Sequence, residues 1–343
     1  MPNIKTIQDV AVLAGVSGAT VSRVLNHKPG VSAKKRDLVL AAAKTLRFSP
    51  NPQARMLAGG KADTVLLVHP MIDSPLTWYF RLLEAGALRG CSRYGFQLRT
   101  HFVFPDSAHR DSRVLKPIED AECVGVVLAA PFSDDPNLIK AIQSRGMPLA
   151  LVASGTSTRA LAAGVGMDDE RAGYEMARYL LNLGHRRFGF SLGLKDHLSA
   201  QERFDGALRA LAEHDIGADD VVFAQGALDF QGGYDAFQHI RQATAVTTAV
   251  ICANDESASG AIHAAHEKGL KLPEEMSIVG FDDAPFARLL SPPLTTMSQD
   301  IEPMAMHAIN ILADVIQQRA RPYEMTRPRL IIRQSAVPPL AQA

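Results

Sequence analysis

The chain has 343 residues, of which 47% are hydrophobic and 21% are charged, and its formal net charge is zero. This length exceeds one ordinary hydrophobic core, so we expect two or three domains. No run of about 18 apolar residues predicts a membrane span, and the first residues lack the apolar stretch of a signal peptide. The cysteines, Cys91, Cys123 and Cys252, are few and widely spaced, which predicts reduced thiols in a cytoplasmic protein.

The charge is unevenly distributed along the chain. Residues 1–62 contain ten lysines and arginines but only two acidic residues, a net charge of +8, which the remaining residues balance with −8. A strongly basic segment at one end of a neutral protein indicates that this end binds a polyanion such as DNA.

The segment from residue 6 to residue 26 predicts two short helices joined at a glycine. Thr6 has the side chain of an N-cap for the first helix, with Asp9 three residues later. Gly15 permits a tight turn, and Ser17 caps the second helix, three residues before Thr20. Apolar residues at helical spacing predict how these helices pack: Ala11, Ala14, Val21, Val24 and Leu25.

The opposite face of the second helix carries small or hydrogen-bonding residues that fit a DNA major groove: Gly18, Ala19, Ser22, Arg23 and Asn26. This combination is typical of a helix-turn-helix. Any two short helices joined at a glycine produce a similar pattern, so the basic charge of the segment is what favours DNA binding.

A third helix is predicted from Ala33 to Leu46, opened by Ser32, with Leu38, Val39, Ala42 and Leu46 at core spacing. The basic residues of its first turn, Lys34, Lys35 and Arg36, either contact DNA phosphates or form a solvated face, and the basic context favours phosphate contact.

A linker follows, in which Asn51 as N-cap, Pro52 at the first helical position and a Gly59-Gly60 stop predict a helix of about two turns. So short a helix is marginal alone in water and needs a partner. The alternative is a flexible tether with Leu57 packed on the core.

From Val65 onward, short apolar strands alternate with amphipathic helices. The predicted strands are Val65–Val68, Gln97–Phe104, Val124–Leu128, Leu149–Val152, Phe188–Ser191, Val221–Phe223, Ala249–Cys252 and Ser277–Gly280. The predicted helices are Phe80–Tyr94, Glu170–Leu183, Gln201–His214, Gly233–Arg241 and Ser257–Lys268. Alternating βα units predict parallel sheets with helices on both faces, and the length fits two such subdomains that bind a ligand at the carboxyl ends of their strands.

The N-terminal motifs resemble those of the LacI/GalR family of bacterial transcription repressors. The resemblance rests on Thr6-Ile7-Gln8-Asp9-Val10-Ala11, Ala14-Gly15-Val16-Ser17, the run from Thr20 to Asn26, and Pro50-Asn51 followed by Ala54-Arg55 and Leu57. It implies an α/β fold class, with an N-terminal all-α helix-turn-helix domain and a periplasmic-binding-protein-like core of two doubly wound parallel-sheet subdomains.

The resemblance also implies domain limits. We expect a helix-turn-helix domain at 1–48, a hinge helix and linker at 49–62, and an effector-binding and dimerisation core at 63–343. Within the core, the first subdomain takes 63–165 and 293–327, and the second takes 166–290 and 328–343. The chain then crosses between subdomains near Gly164–Asp168, Leu290–Thr295 and Thr326–Leu330.

In this family the hinge helix pairs with its twin in a dimer and enters the minor groove, where Leu57 matches a leucine that wedges between base steps. The residues expected to contact DNA are Thr6, Ser17, Gly18, Ala19, Thr20, Ser22, Arg23, Asn26, Ser32, Asn51, Ala54, Arg55 and Leu57.

Polar residues at strand or helix ends match family positions that contact an effector. The expected effector residues are Asp73, Tyr79, Arg203, Phe230, Asn254 and Asp282. A carboxylate and a guanidinium across a cleft can each hold two adjacent sugar hydroxyls, and an aromatic ring can cover an apolar sugar face. Alternatively, Asp and Asn at such positions only cap the next helix. Trp78, the only tryptophan, either lines this cleft or packs in a core.

The sequence shows no nucleophile, phosphate-loop or metal-ligand motif, so we predict no enzyme activity, cofactor or metal. The prediction is a homodimeric repressor that binds a pseudo-palindromic operator and is released by a sugar-like effector. A sugar-binding receptor without a transcriptional role and a sugar-modifying α/β enzyme are the alternatives.

Overall fold

The computed structural model describes residues 6–25, 30–46, 63–71, 78–104, 107–120, 122–193, 197–244 and 246–340. The chain forms two compact units, Met1–Ala62 and Asp63–Ala343. Within the described ranges, no helix is long and apolar enough to cross a membrane.

The N-terminal unit contains helices α1 (Ile7–Ala14), α2 (Gly18–Leu25) and α3 (Ala33–Thr45). The Thr6 side chain accepts a hydrogen bond from the Asp9 N–H, and the Asp9 carboxylate accepts one from the Thr6 N–H at 2.7 Å. These two bonds form a capping box and confirm the predicted start of α1. Gly15 ends α1 in the left-handed region, at φ 64°, which allows the tight turn into α2.

The core of this unit contains Val10, Ala11, Ala14, Val21, Val24, Val39, Ala42 and Ala43. The predicted core position of Leu38 is wrong, because its side chain is 48% exposed. One residue turns a helix by about 100°, so the stripe that contains Val39 and Ala42 directs Leu38 away from the other two helices.

The second unit begins with a set of βα repeats that we call the first subdomain. Its elements are β1 (Thr64–Pro70), α4 (Trp78–Tyr94), β2 (Gln97–Val103), α5 (Arg110–Glu119), β3 (Gly125–Ala129), α6 (Pro136–Ser144), β4 (Leu149–Val152), α7 (Thr156–Arg159) and β5 (Gly164–Met167). The chain later returns to it with α12 (Ile301–Ile316) and β11 (Tyr323–Thr326).

The second subdomain comprises the remaining elements. They are α8 (Asp169–Asn182), β6 (Phe188–Ser191), α9 (Leu198–Ala212), β7 (Val221–Ala224), α10 (Phe230–Ala243), β8 (Ala249–Cys252), α11 (Asp255–Glu267), β9 (Ser277–Asp282), β10 (Thr295–Ser298) and β12 (Arg329–Ile331).

Each subdomain has a six-stranded sheet. The strand orders are β11-β5-β4-β3-β1-β2 and β12-β10-β9-β8-β6-β7. Strand pairs are parallel except for β10 and β12, which are antiparallel. The order reverses beside the first strand of each sheet, as in doubly wound folds, so ligand sites are expected at the carboxyl ends of the strands.

The strands predicted from the sequence are all present, with ends that differ by at most two residues, and the predicted helices begin one to three residues earlier. Strands β5, β10, β11 and β12 were not predicted.

The second crossing between subdomains was predicted near Leu290–Thr295, and this is wrong. Thr295 pairs with Val279 of β9, so β10 belongs to the second sheet, although residues from 293 on had been assigned to the first subdomain. The chain crosses after β10, at Gln299 and Asp300. The prolines at 292 and 293 mark a turn inside the second subdomain, where Leu294 is buried and its N–H bonds to the Ala287 carbonyl.

Candidate functional site

Helix α2 of the N-terminal unit separates its buried and accessible residues along opposite faces. Val21 and Val24 are buried, whereas Ser17 at its start, Ala19 and Arg23 are exposed. Gly18, Thr20 and Ser22 are half-buried. The helix therefore presents small and hydrogen-bonding groups on its accessible side, which is the composition that reads base edges in a major groove.

The hydroxyl groups at the start of α2 also hold the helix in place. Ser17 Oγ accepts a hydrogen bond from the Thr20 N–H at 3.2 Å and lies 2.9 Å from Thr20 Oγ1. This confirms Ser17 as an N-cap. Thr6 and Ser32 are exposed at the starts of α1 and α3. Five predicted DNA contacts lie outside the described residues: Asn26, Asn51, Ala54, Arg55 and Leu57.

Within the second unit, the guanidinium of Arg203 is the centre of a buried polar cluster. Its Nε donates to Asp169 Oδ1 at 2.7 Å, and its Nη1 donates to the Ala253 carbonyl at 2.8 Å. Nη1 also lies 3.9 Å from Asp282 Oδ1. All three charged side chains are buried, so water screens their interactions weakly.

Backbone-to-backbone packing of two helices brings Arg203 to Asp169. Asp169 is the first residue of α8, and Arg203 lies in the second turn of α9. A Cβ atom at Gly173 would clash with the Arg203 carbonyl oxygen, and one at Gly206 would clash with the Glu170 carbonyl oxygen. Only glycine permits this approach, which positions the guanidinium at the carboxyl end of the sheet.

Asp282 is the last residue of β9 and has a positive φ of 115°, a conformation that is strained for a residue with a side chain. Gln299, at the crossing after β10, donates a hydrogen bond to its carboxyl group. Burial raises the pKa of Asp282 to about 7, against the opposing effect of the Arg203 charge.

Asp255, the first residue of α11, adds a second buried carboxyl group. It accepts hydrogen bonds from the Thr296 hydroxyl at 2.5 Å and from the Ala284 N–H at 2.7 Å. Burial raises its pKa well above the usual range, and the charge of Asp282 adds to this effect. The carboxyl groups of Asp255 and Asp282 therefore do not readily ionise at the same time. Both lie at the same strand ends as Arg203.

The first subdomain contributes Tyr79, at the start of α4. Burial raises the pKa of its phenol, and the charges of Asp282 and Arg203 act on it as well, so Tyr79 faces the cluster from the opposite sheet. Beside it, the Trp78 ring lies 6.0 Å from that of Phe286 in the second subdomain, and it also packs against the hydrophobic core of the first subdomain. Trp78 therefore lies at the edge of the junction between subdomains.

Two predicted effector residues are placed differently. Asn254 caps α11: its Oδ1 accepts from the Ser257 N–H at 2.9 Å, and its Nδ2 donates to the Leu228 carbonyl at 2.8 Å. Phe230 begins α10, is 38% exposed, and stacks obliquely on His263 at 5.5 Å. The structure brings Leu228 rather than Phe230 to Asn254, and Asp73 lies outside the described residues.

The residues of the cluster that sequence reasoning missed are Asp169, Asp255 and Gln299. Asp169 and Gln299 follow β5 and β10, strands that were not predicted, so no strand end marked them. Asp255 follows a predicted strand, and its position next to Asn254 was the available signal.

The described part of the chain contains no group of three His, Cys, Asp or Glu side chains that could hold a metal ion. Cys91, Cys123 and Cys252 are buried free thiols. Burial raises the pKa of each thiol, so these side chains are unreactive packing residues.

The N-terminal unit is a helix-turn-helix with an accessible polar reading helix. The second unit is a doubly wound core whose two subdomains meet at a buried charged cluster. Together these features define a DNA-binding transcription regulator. Residues 6–51 match the bacterial regulatory proteins of the lacI family, and residues 177–336 match the periplasmic binding protein-like domain. This chain belongs to the LacI family.

Individual relatives agree with this assignment. The HTH-type transcriptional regulator GalR of Escherichia coli K12 is 32% identical, covering 98% of this chain and 97% of GalR. The structure of a transcriptional regulator CelR–cellobiose complex has a TM-score of 0.73 at 26% identity, covering 96% of this chain and 99% of that one. The lac repressor dimer bound to operator and the anti-inducer ONPF shares the fold, with a TM-score of 0.78 at 24% identity, covering 98% and 100%. These relatives are transcription regulators, not enzymes.

Proposed function

We propose that this protein is a repressor controlled by a small polyhydroxylated effector of the sugar class. The observation that carries the proposal is the buried Arg203–Asp282 pair, with Tyr79 facing it from the other subdomain. Arg203 can donate, and Asp282 can accept, forked hydrogen bonds with adjacent hydroxyl groups. The cellobiose complex of a relative with the same fold supports a carbohydrate ligand.

On DNA, the protein acts as a homodimer on a pseudo-palindromic operator. Two copies of α2 enter successive major grooves. The segment 49–62 lies outside the described residues, and we propose that it supplies the hinge helices that pair over the minor groove between them. The lac repressor of the same fold is a dimer on its operator, which supports this assembly. Such a protein works in the bacterial cytoplasm, on the nucleoid.

Effector binding changes the equilibrium between two arrangements of the subdomains. A ligand held by Tyr79 on one side and by Arg203 and Asp282 on the other favours whichever arrangement places all three around it. Its differential affinity for the two arrangements sets how far operator affinity falls.

The test combines operator selection with sugar titration. The full-length protein selects its operator from a randomised DNA library, and mono- and disaccharides are screened for those that release it. Operator affinity is expected to fall with salt at a log–log slope of about −5, because about six phosphates are neutralised per dimer. A releasing sugar should lose at least tenfold in affinity for Asp282→Ala, a change of about 1.4 kcal/mol.

Three outcomes contradict parts of the proposal. A slope near zero on the selected site would exclude this mode of docking. Release by no sugar but by another class of metabolite would exclude the carbohydrate assignment and leave the regulator. Unchanged sugar affinity in Asp282→Ala, with a lowered melting temperature, would make Asp282 a structural residue.

A further inference from the structure

The two subdomains also contact each other at a second place, which we call the junction segment pair: residues 153–159 of the first subdomain and residues 198–202 of the second. Arg159 and Glu202 form an ion pair with an N–O distance of 2.6 Å. The other oxygen of Glu202 accepts a hydrogen bond from the Thr156 N–H at 2.5 Å. The Ser199 hydroxyl donates to the Ala153 carbonyl at 3.2 Å.

This ion pair is largely removed from water. The exposed fractions of the Arg159 and Glu202 side chains are 14% and 16%. On the same helix, Arg209 pairs with Glu170 at 2.9 Å, and both of those side chains are 52% exposed. An exposed pair contributes little to stability, whereas removing one partner of a buried pair leaves an uncompensated charge.

The first subdomain holds its half of the pair in a fixed position. Gly155 donates its N–H to Asp134 Oδ1 at 2.7 Å, and Ser154 donates its N–H to the Tyr323 hydroxyl at 2.9 Å. The Arg159 guanidinium lies 5.7 Å from the centre of the Tyr323 ring. These contacts therefore fix the segment from 153 to 159 to the first subdomain.

Glu202 immediately precedes Arg203, the central residue of the buried cluster with Asp169 and Asp282, which we call the effector cluster. Glu202 and Arg203 both lie at the start of α9, so a movement of α9 away from the first subdomain breaks the Arg159–Glu202 pair and separates Arg203 from Tyr79. The ion pair and the effector cluster therefore report the same motion.

We propose that Arg159 and Glu202 are positioning residues that hold the two subdomains together when no effector is bound, and so set the resting equilibrium between closed and open cores. A contact made in only one of two arrangements biases the equilibrium by its own free energy. An effector that binds the closed core then has a higher apparent affinity, because the ion pair has already shifted the population toward that core. The effect of the ion pair on effector affinity rests on the proposed function. The closure of the core that the pair stabilises requires neither effector nor DNA.

The experiment follows closure in the full-length protein without ligand. Glu202→Gln keeps the size of the side chain and an oxygen for the Thr156 N–H, and it removes the charge that pairs with Arg159. Amide hydrogen exchange is measured over residues 153–160 and 197–206, and fluorescence is measured from Trp78, the only tryptophan. Trp78 spans the subdomains through Phe286, so its emission reports their separation.

Exchange of the Thr156 amide, whose N–H bonds to Glu202 across the junction, is expected to accelerate at least tenfold in Glu202→Gln, equivalent to about 1.4 kcal/mol. Arg159→Gln should give the same acceleration, and the double variant should add little to either. Trp78 emission should shift in the direction given by Phe286→Leu, which removes the ring that Trp78 contacts. The matched control is Glu170→Gln, which removes the charge that pairs with the exposed Arg209 of α9. It should leave amide exchange and Trp78 emission within twofold of the wild type.

Two results would overturn the proposal. One is exchange of the Thr156 amide within twofold of the wild type, with unchanged Trp78 emission. The other is equal acceleration at Thr156 and in buried β8 (Ala249–Cys252), because this would mean lost global stability rather than opening. Neither result bears on sugar release, which tests the proposed function separately.

Discussion

The reading helix α2 and the proposed effector cluster are built in opposite ways. Helix α2 presents its polar face from eight consecutive residues, Gly18–Leu25, and its cap comes from the residue before them. The effector cluster collects Tyr79, Asp169, Arg203, Asp282 and Gln299, which are up to 220 residues apart in the chain. A local site tolerates changes elsewhere in the fold, whereas a site assembled from both sheets changes whenever they move. The reading helix therefore keeps its own shape when the second unit rearranges, whereas the cluster does not.

The strongest way to break this comparison is to remove the central cation of the cluster. Arg203→Met retains the apolar stem but leaves Asp169 and Asp282 buried without their partner. We expect the free energy of unfolding to fall by about 3–5 kcal/mol, as for other broken buried ion pairs. Urea unfolding of the full-length protein measures the change.

The control for that experiment is Arg209→Met on the same helix, where the ion pair with Glu170 is exposed and the expected loss is below about 1 kcal/mol. Similar losses in the free energy of unfolding would show that Arg203 contributes no more than an exposed ion pair, and that the cluster is not a tightly assembled site.

A second test uses pH to separate the cluster from the reading helix. The pKa of Asp282 is raised from 3.8 in the unfolded chain to about 7 in the folded protein, so the folded state binds this proton more tightly. The stability that the protonated group provides is fully present below pH 3.8 and is lost as pH rises through 7. The slope of this loss approaches about 1.4 kcal/mol per pH unit for a single proton.

Asp282→Asn mimics the protonated carboxyl group and should therefore lose much less stability than the wild type between pH 5 and pH 7.5. Thermal unfolding across this range, for both proteins, measures the difference. Parallel curves would mean that Asp282 is ionised at all these pH values. Because the charge of Asp282 acts on Asp255, Asp282→Asn also changes the titration of Asp255, and the difference between the two curves reports this coupled pair.

The smallest expected effect belongs to the local site. Ser17→Ala removes the hydroxyl that accepts from the Thr20 N–H, and an N-cap of this kind contributes about 1 kcal/mol. Unfolding of the N-terminal unit, followed by circular dichroism, should show this loss. Ser17→Asp retains a cap and should restore stability while weakening DNA binding by adding a negative charge. Equal stability of Ser17→Ala and the wild type would mean that Ser17 serves DNA contact alone.

The same contrast explains which parts of the structure were predictable. Periodicity places Val21 and Val24 inside the N-terminal unit, and the capping residues Thr6 and Ser17 mark where α1 and α2 begin. The core position predicted for Leu38 was wrong because a shift of one position along a helix changes which side faces the core. These are short-range rules, and they act within a few residues.

Strand β10 escaped prediction because most of its side chains are polar. Strand β10, Thr295–Ser298, is buried although three of its four residues have hydroxyl groups. Its Thr295 side chain accepts from the Arg333 N–H, and Thr296 donates to Asp255, so the fold satisfies groups that look exposed in sequence. Missing β10 displaced the predicted crossing and concealed Gln299.

Sequence alone determined the helix-turn-helix, the alternation of strands and helices, and the placement of Asp282 after a strand. Each of these follows from hydrophobic periodicity, caps and glycines that act over one or two turns. Tertiary structure decided that Asp169 meets Arg203, that Leu228 rather than Phe230 approaches Asn254, and that Arg159 reaches Glu202. These contacts depend on how two helices cross at Gly173 and Gly206 and on where the chain passes between the sheets, and no local pattern encodes the relative position of elements so far apart.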